Sequence, residues 1–196
     1  MQERSLVAQA GARPARILVL ICVAGRRFSL DPRFGGPRLR EMPSPLPICV
    51  GERPRTTPTN PHTQLDQQPT DLRWVKELAE RVFALPGVVE EPSRISVPGA
   101  RALVLAQGEA VGPPEAFLID REFAHLHPAP DHSLHAMLPT ETVTEAVSAG
   151  WAEPHPVAVR GLIPPTAVML YAPRDAAELE TIEALVRASH AFARSG

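Results

Sequence analysis

Cysteine is nearly absent from this chain of 196 residues. Its two cysteines, Cys22 and Cys49, both precede residue 70, and no Cys-x-x-Cys pair occurs. The sequence therefore excludes a small scaffold built on disulfides and a cysteine-ligated zinc site. A cysteine-free core is typical of a reducing compartment, so we expect a cytoplasmic protein.

Long apolar runs and phosphate-binding glycine motifs are also missing. The apolar run ILVLICVAG, residues 17–25, is shorter than the about twenty residues that a membrane span needs, and a double Arg follows it where a signal peptide would have small residues. Neither GxGxxG nor GxxxxGK[ST] occurs, so no nucleotide-binding loop is predicted. We expect no membrane partner.

Positive charge is scarce where a fold is predicted. Residues 1–70 hold ten Arg and five acidic residues, whereas residues 71–196 hold ten Lys or Arg and seventeen acidic residues. Phosphate binding needs clustered cations, so the acidic part predicts no nucleic-acid partner. Ten prolines interrupt residues 1–70. This composition predicts a disordered Pro/Arg-rich tail over residues 1–69 and one domain over residues 70–196.

Hydrophobic periodicity predicts the elements of that domain. Helical spacing of apolar residues predicts helices over 71–85, 140–149 and 176–193. Short apolar runs predict strands over 88–90, 94–97, 102–106, 116–119 and 166–171, and residues 122–127 and 133–138 are predicted to pair as a hairpin. The order α, several β, α, β, α favours an α+β fold with helices packed on an antiparallel sheet.

Four of the seven histidines lie within the predicted hairpin, EFAHLHPAPDHSLHAM over residues 122–137. If the apolar residues of both strands face the core, His125 stands opposite His135, and His127 shares their face of the sheet. The same alternation puts Phe123 on the histidine face. His132 is expected near the turn and open to solvent.

Three imidazoles on one face can serve in acid–base chemistry or bind a metal. Two histidines at alternate strand positions with a third across the ladder suit a catalytic divalent metal with an open position, so His125, His127 and His135 are the metal candidates. The structural alternative is that each histidine is buried and satisfied by hydrogen bonds.

Four further residues are candidates, and three of them permit two interpretations. Prolines flank His155 on both sides and hold its backbone extended. Trp151 can line an aromatic ligand pocket or pack in the core. Tyr171 can point into the pocket or pack on the last helix. Arg174 can bind an anion or pair with an acidic neighbour such as Glu178.

The succession REFAHLH, DHSLH, GWAEPHP and PPTAVMLYAPRD resembles the luciferase-domain family, which includes fungal luciferases and many bacterial proteins of unknown activity. Fungal members oxidise a hydroxylated pyrone with molecular oxygen and emit light. The resemblance implies a catalytic set and a substrate-binding set. The catalytic residues would be His125, His127, His135 and His155, and the substrate-binding residues Asp131, Ser133, Trp151, Tyr171 and Arg174.

The leading hypothesis is an oxygen-dependent, luciferase-like oxidoreductase that acts on a small enol-like or aromatic substrate. In it the histidines deprotonate the substrate, and Arg174 or a divalent metal steadies the anion for reaction with molecular oxygen. One alternative is a non-catalytic module that binds a small molecule or a metal ion. Another is a structural protein whose histidines are all satisfied.

Overall fold

The computed structural model describes residues 43–196, so the apolar run 17–25 and residues 1–42 of the predicted tail lie outside the described residues. In chain order the elements are α1 Arg73–Phe83, β1 Val88–Pro92, β2 Arg101–Leu105, a 3-10 helix Pro114–Ala116, β3 Glu122–Leu126, β4 Leu134–Met137, α2 Thr140–Ala149, β5 Ala152–Pro154, α3 Pro156–Val159, β6 Ala167–Leu170 and α4 Ala176–Ala193.

The strands form one sheet in the order β1-β2-β3-β4-β6-β5, and every neighbouring pair is antiparallel. The predicted α+β class is therefore confirmed. The last helix has the predicted bounds, and the Asp175 side chain accepts a hydrogen bond from the backbone N–H of Glu178 at its start. Such a cap satisfies one of the donors that a helix N-terminus leaves free.

The main core lies on one face of the sheet, where α1 and α4 bury their apolar stripes. Leu78 and Val82 of α1 join Ile182 and Leu185 of α4 in one cluster with apolar residues of β2, β3, β4 and β6. Burying a side chain of this kind stabilises the fold by about 1.5–3 kcal/mol. Neither α1 nor α4 covers the opposite face of the sheet, which we call the free face.

Two of the predicted strands are wrong. Residues 94–97 form a loop, and in place of a strand over 116–119 the chain makes the 3-10 helix and a single bridge at Ile119. The second run divides between the two faces of the sheet: Ala116 and Phe117 are buried in the main core, whereas Leu118 packs beside the small cluster of Met137, Ala158 and Ala167. An apolar run that covers a sheet has the same composition as a short strand within it.

A β-bulge shifts the side-chain alternation at the start of β3. Leu103 of β2 pairs with Ala124, but the next residue, Val104, pairs with Glu122, so Phe123 is the extra residue. Phe123 is fully buried in the main core together with Ala124. The prediction that Phe123 lies on the histidine face is wrong for this reason, and Glu122 takes that face instead.

The prediction of a disordered tail up to residue 69 is wrong for residues 43–69, which we call the strap. These residues belong to the same compact unit as the rest of the described chain. Leu46 is buried in the main core, the Cys49 N–H donates to the Ala149 carbonyl, and the Gln64 N–H donates to Asp131. The Pro-rich composition rules out regular helix and strand, but it permits an extended segment that bonds to a finished surface.

Within residues 43–196, no helix combines the length and the apolar character needed to cross a membrane.

Candidate functional site

A row of cross-strand neighbours crosses the free face of the sheet. Ala102 of β2 pairs with His125, His125 with His135, His135 with Met169, and Met169 with Glu153 of β5. The pairing of His125 with His135 is the predicted register. Opposed side chains lie roughly 4.5–5.5 Å apart at Cβ, so this row brings imidazoles and a carboxylate together across the sheet.

Three further imidazoles join the row, and we call the five side chains the histidine cluster: His62, His125, His127, His135 and His155. His127 follows β3, His155 precedes α3, and His62 comes from the strap. The His135 ring lies at the centre, with ring centroids 5.0 Å from His125, 4.7 Å from His127, 4.6 Å from His155 and 5.3 Å from His62. All five residues are buried.

A chain of four polar contacts runs through the cluster from one carboxylate to another. Nδ1 of His125 lies 2.6 Å from Glu122 Oε1, and Nε2 of His125 lies 3.0 Å from Nδ1 of His135. Nε2 of His135 lies 3.2 Å from Nδ1 of His62, and Nε2 of His62 lies 2.6 Å from Glu153 Oε1. A carboxylate can only accept, so each end imidazole donates outward to its carboxylate.

A second carboxylate–imidazole pair lies beside this chain. Nδ1 of His127 lies 2.5 Å from Asp131 Oδ2 and 3.2 Å from Ser133 Oγ. Asp131 is itself held by backbone N–H groups of Gln64 and Ser133. Among the residues that the structure describes, Nε2 of His127 is the one buried side-chain nitrogen or oxygen without a hydrogen-bond partner. The hypothesis that every histidine is satisfied therefore fails at this atom.

The backbone fixes the orientation of His155. Its Nδ1 accepts a hydrogen bond from the Val157 N–H at 3.1 Å. A neutral imidazole that accepts at Nδ1 carries its hydrogen at Nε2. His155 therefore presents an N–H donor at Nε2 and no free lone pair.

Burial keeps the central imidazoles uncharged. It lowers the pKa of His125, although the hydrogen bond that His125 donates to Glu122 acts in the opposite direction. Burial also holds the pKa of His135 well below its usual range, and the neighbouring imidazoles act in the same direction. Burial lowers the pKa of His155 to about 4. At neutral pH these rings are neutral and offer lone pairs or N–H donors.

A cavity of about 460 Å³ opens over the cluster, a volume that suits a small organic ligand. All five imidazoles line it on one side, and apolar side chains form most of the remaining wall. The apolar lining residues are Pro61, Ile95, Val97, Pro98, Leu118, Val157 and Ile163. His132 does not line this cavity, and it is partly buried rather than open to solvent.

All five predicted substrate-binding residues lie outside the cavity lining. The Trp151 ring packs in the main core and donates its N–H to the Pro47 carbonyl. Arg174 pairs with Glu178, as one of its two interpretations expected. Tyr171 is buried and donates its hydroxyl hydrogen to Glu153 Oε2 at 3.1 Å, so it reaches the cluster through that carboxylate. Likewise Asp131 and Ser133 lie behind His127 and do not line the cavity.

Sequence reasoning missed two residues of the site, His62 and Glu153, and the contact that Glu122 makes. His62 lies in the strap, which composition assigned to a disordered tail, although a proline precedes it just as a proline precedes His155, and this shared pattern could have marked it. Glu122 reaches His125 because of the bulge, which no local pattern reveals. Glu153 meets His62 only through the pairing of β5 with β6.

Comparison with known proteins identifies relatives for the segment that carries most of this site. Residues 120–189 match the family model described as the luciferase domain. The chain is 34% identical to a luciferase of Armillaria mellea over 114 residues, which are 57% of this chain and 37% of that relative. It is 41% identical to a luciferase of Neonothopanus nambi over 71 residues, which are 35% of this chain and 27% of the relative.

The matches thus span only 27% to 37% of the length of these curated relatives. No solved structure matches the chain significantly. The matched segment supplies four of the five clustered histidines and leaves out His62. The resemblance seen in the sequence is confirmed over residues 120–189, the segment of this chain that is similar to the luciferase domain.

Proposed function

We propose that this protein is an oxygen-dependent enzyme that oxidises a small, enolisable aromatic substrate in the cavity over the histidine cluster. The observation that carries the proposal is the composition of the cavity: buried imidazoles on one side and apolar walls around the rest. Apolar walls bind a flat ring, and a few convergent polar groups orient it. The fungal relatives named as luciferases support a reaction of this class.

The substrate class follows from the charge that the cluster can stabilise. Hydroxylated pyrones are vinylogous acids, so their enolic hydroxyl ionises readily. The N–H of His155 at Nε2 is a donor that can hydrogen-bond to an enolate oxygen. Since Arg174 is occupied by Glu178, the anion is stabilised by the cluster rather than by that guanidinium.

The reaction transfers two electrons from substrate to oxygen. The enolate gives an electron pair to O2, one carbon–oxygen bond forms, and the resulting peroxide takes up the proton that the enol released. The carbon is oxidised by two electrons and oxygen is reduced to the peroxide level. The apolar walls of the cavity reduce the access of water to the anion, which strengthens each hydrogen bond to it.

The test measures oxygen uptake by the untagged full chain with a 6-aryl-4-hydroxy-2-pyrone, with and without added Fe²⁺ or Co²⁺. We expect one O2 to be taken up for each pyrone consumed. The rate of uptake should fall about a hundredfold in His155→Gln, because one donor to the oxyanion is altered. The matched control is His132→Asn, outside the cavity, which should keep the full rate.

Binding without turnover would contradict the proposal. If the pyrone binds, seen as a shift of its absorption, and no oxygen is consumed under any of these conditions, the protein is a small-molecule-binding module. If the pyrone neither binds nor reacts, the assignment of this substrate class fails.

A further inference from the structure

We infer that the cluster binds one divalent first-row transition-metal ion through Nε2 of His125, Nε2 of His127 and Nδ1 of His135. The inference deepens the proposed function, and rests on it only for the role of the ion, which would be to hold the enolate oxygen. The three side chains each offer a nitrogen within 4.8 Å of the others.

The Nε2 nitrogen of His127 is buried without a hydrogen-bond partner. Asp131 takes the hydrogen on Nδ1, so the lone pair of a neutral ring lies on Nε2. The side chain is 1% exposed, and Nε2 has no hydrogen-bond partner. A buried polar atom without a partner destabilises the folded protein, and an ion bound at this position would remove that cost.

The chain of contacts from Glu122 to Glu153 has one hydrogen fewer than it needs. The four contacts each need one hydrogen, but three neutral imidazoles carry only three. If the other three contacts each take one hydrogen, none is left for the contact between His125 and His135, and two lone pairs face each other there. An ion that accepts both of these lone pairs replaces the missing hydrogen.

With the ion in place, every remaining hydrogen has an acceptor. His125 donates from Nδ1 to Glu122, His135 donates from Nε2 to His62, and His62 donates from Nε2 to Glu153. One occupant thus accounts for both the surplus contact and the unpartnered nitrogen of His127.

The distances and the second layer of contacts fit metal ligation. Nε2 of His125 and Nδ1 of His135 are 3.0 Å apart. Two nitrogens at that separation can both lie about 2.1 Å from one ion, where they subtend an angle of about 90°. Carboxylates on the outer nitrogens of His125 and His127 hold the rings in one tautomer, as carboxylate partners of metal-bound histidines do.

The hydrogen bonds also decide against a second group of histidines. His62, His135 and His155 likewise offer nitrogens within 4.8 Å of one another. However, Nδ1 of His155 accepts from the Val157 N–H and leaves the hydrogen on Nε2, so this ring has no lone pair for an ion. His155 therefore remains a donor beside the site.

The ligand set defines the class of ion. Imidazole nitrogens suit Zn²⁺, Co²⁺, Fe²⁺, Ni²⁺ and Cu²⁺, whereas Mg²⁺ and Ca²⁺ prefer oxygen. Three neutral ligands leave the ion its full double charge and open positions. Because all three ligands line the cavity, an anionic oxygen of a ligand there can reach the ion.

The test titrates Co²⁺ into chelator-stripped, untagged full chain and follows visible absorption, with native mass spectrometry for the stoichiometry. We expect one Co²⁺ per chain and competition by Zn²⁺. Glu122→Gln and Asp131→Asn should weaken Co²⁺ binding about 10- to 100-fold, because these carboxylates position the ligands. His125→Ala and His127→Ala should weaken it further.

The matched control is again His132→Asn, since Asn tolerates the left-handed backbone of that position, φ +60°, and the variant should bind Co²⁺ as the wild type does. Wild type that binds no Co²⁺ would overturn the inference. So would a His127→Ala variant with wild-type affinity, or a His155→Gln variant as impaired as His127→Ala.

A measurement on the wild type alone covers the case in which a histidine variant does not fold. Imidazole ¹⁵N shifts upon Zn²⁺ addition should move at Nε2 of His125 and His127 and at Nδ1 of His135. Movement at both His62 and His155 instead would overturn the assignment. Co²⁺ binding without oxygen uptake sustains the metal site and overturns the proposed function. Oxygen uptake by protein that binds no Co²⁺ sustains the proposed function and overturns the metal site.

Discussion

Gln64 allows a direct test of how firmly the strap is bound to the domain. Its side chain is 3% exposed, and Oε1 accepts a hydrogen bond from the Ala172 N–H at 3.0 Å. Ala172 follows β6 and is itself buried. Replacement by Met keeps the length of the side chain and removes the acceptor, so the Ala172 N–H is left buried without a partner.

Most of the effect follows from the buried Ala172 N–H, since the other hydrogen bond that is lost, from Nε2 of Gln64 to the Asp66 carbonyl, is only partly buried. A buried donor without a partner costs about 1–3 kcal/mol, so Gln64→Met should lower the free energy of unfolding by about 2 kcal/mol. For a domain of this size the melting temperature should fall by about 4–8 °C. Circular dichroism during thermal and urea unfolding measures both quantities.

The control substitution is Gln107→Met, because Gln107 is exposed and should tolerate the change within about 0.5 kcal/mol. If Gln64→Met and Gln107→Met melt together, the strap does not dock on the domain in solution. The Ala172 amide gives a second readout, since its hydrogen exchange should accelerate in Gln64→Met and stay unchanged in Gln107→Met.

Three other substitutions or conditions test the fold and its titrating groups. Phe123→Ala should cost about 3–5 kcal/mol by urea unfolding, because the bulge places the ring in the core; a loss under 1 kcal/mol would contradict that placement. Gly150→Ala should cost about 1 kcal/mol, because Gly150 ends α2 with φ +88°, and an unchanged urea midpoint would refute this. Burial lowers the pKa of His135, His155 and His190 below the unfolded value, so the unfolded chain takes up protons first as the pH falls. Stability with chelator present should therefore be complete above about pH 7 and decline below about pH 6.5, and equal urea midpoints at pH 7.5 and 5.5 would contradict the burial of these rings.

The sequence predicted the parts of the site that depend on local alternation. Apolar residues at every second position of β3 and β4 determine the register that pairs His125 with His135. The capping pattern and apolar stripe of α4 likewise lie within one segment, and its bounds were predicted correctly. Patterns of this kind need no knowledge of the neighbouring elements.

The parts that were missed depend on contacts between distant segments. The bulge at Phe123 is a property of the pairing of β3 with β2, so the sequence of β3 alone gives no sign of it. His62 has a role because the strap docks beside Glu153, 91 residues further along the chain. For Trp151 and Arg174 the sequence permitted two interpretations, and the packing of the strap and of α4 selects one of them.

Because the strap contributes His62 to the cavity, binding of a ligand in the cavity and docking of the strap on the domain are thermodynamically linked. His62 takes part in the cluster only while residues 43–69 are in place, so a ligand that needs His62 binds the docked form more tightly. By linkage, such a ligand stabilises docking by the same free energy, about 1.4 kcal/mol for a tenfold difference in affinity. Protease resistance within the strap would then report on occupancy of the cavity. A chain cut to residues 120–189 would keep the segment that matches the family model but would lack His62 and the part of the cavity wall that the strap supplies.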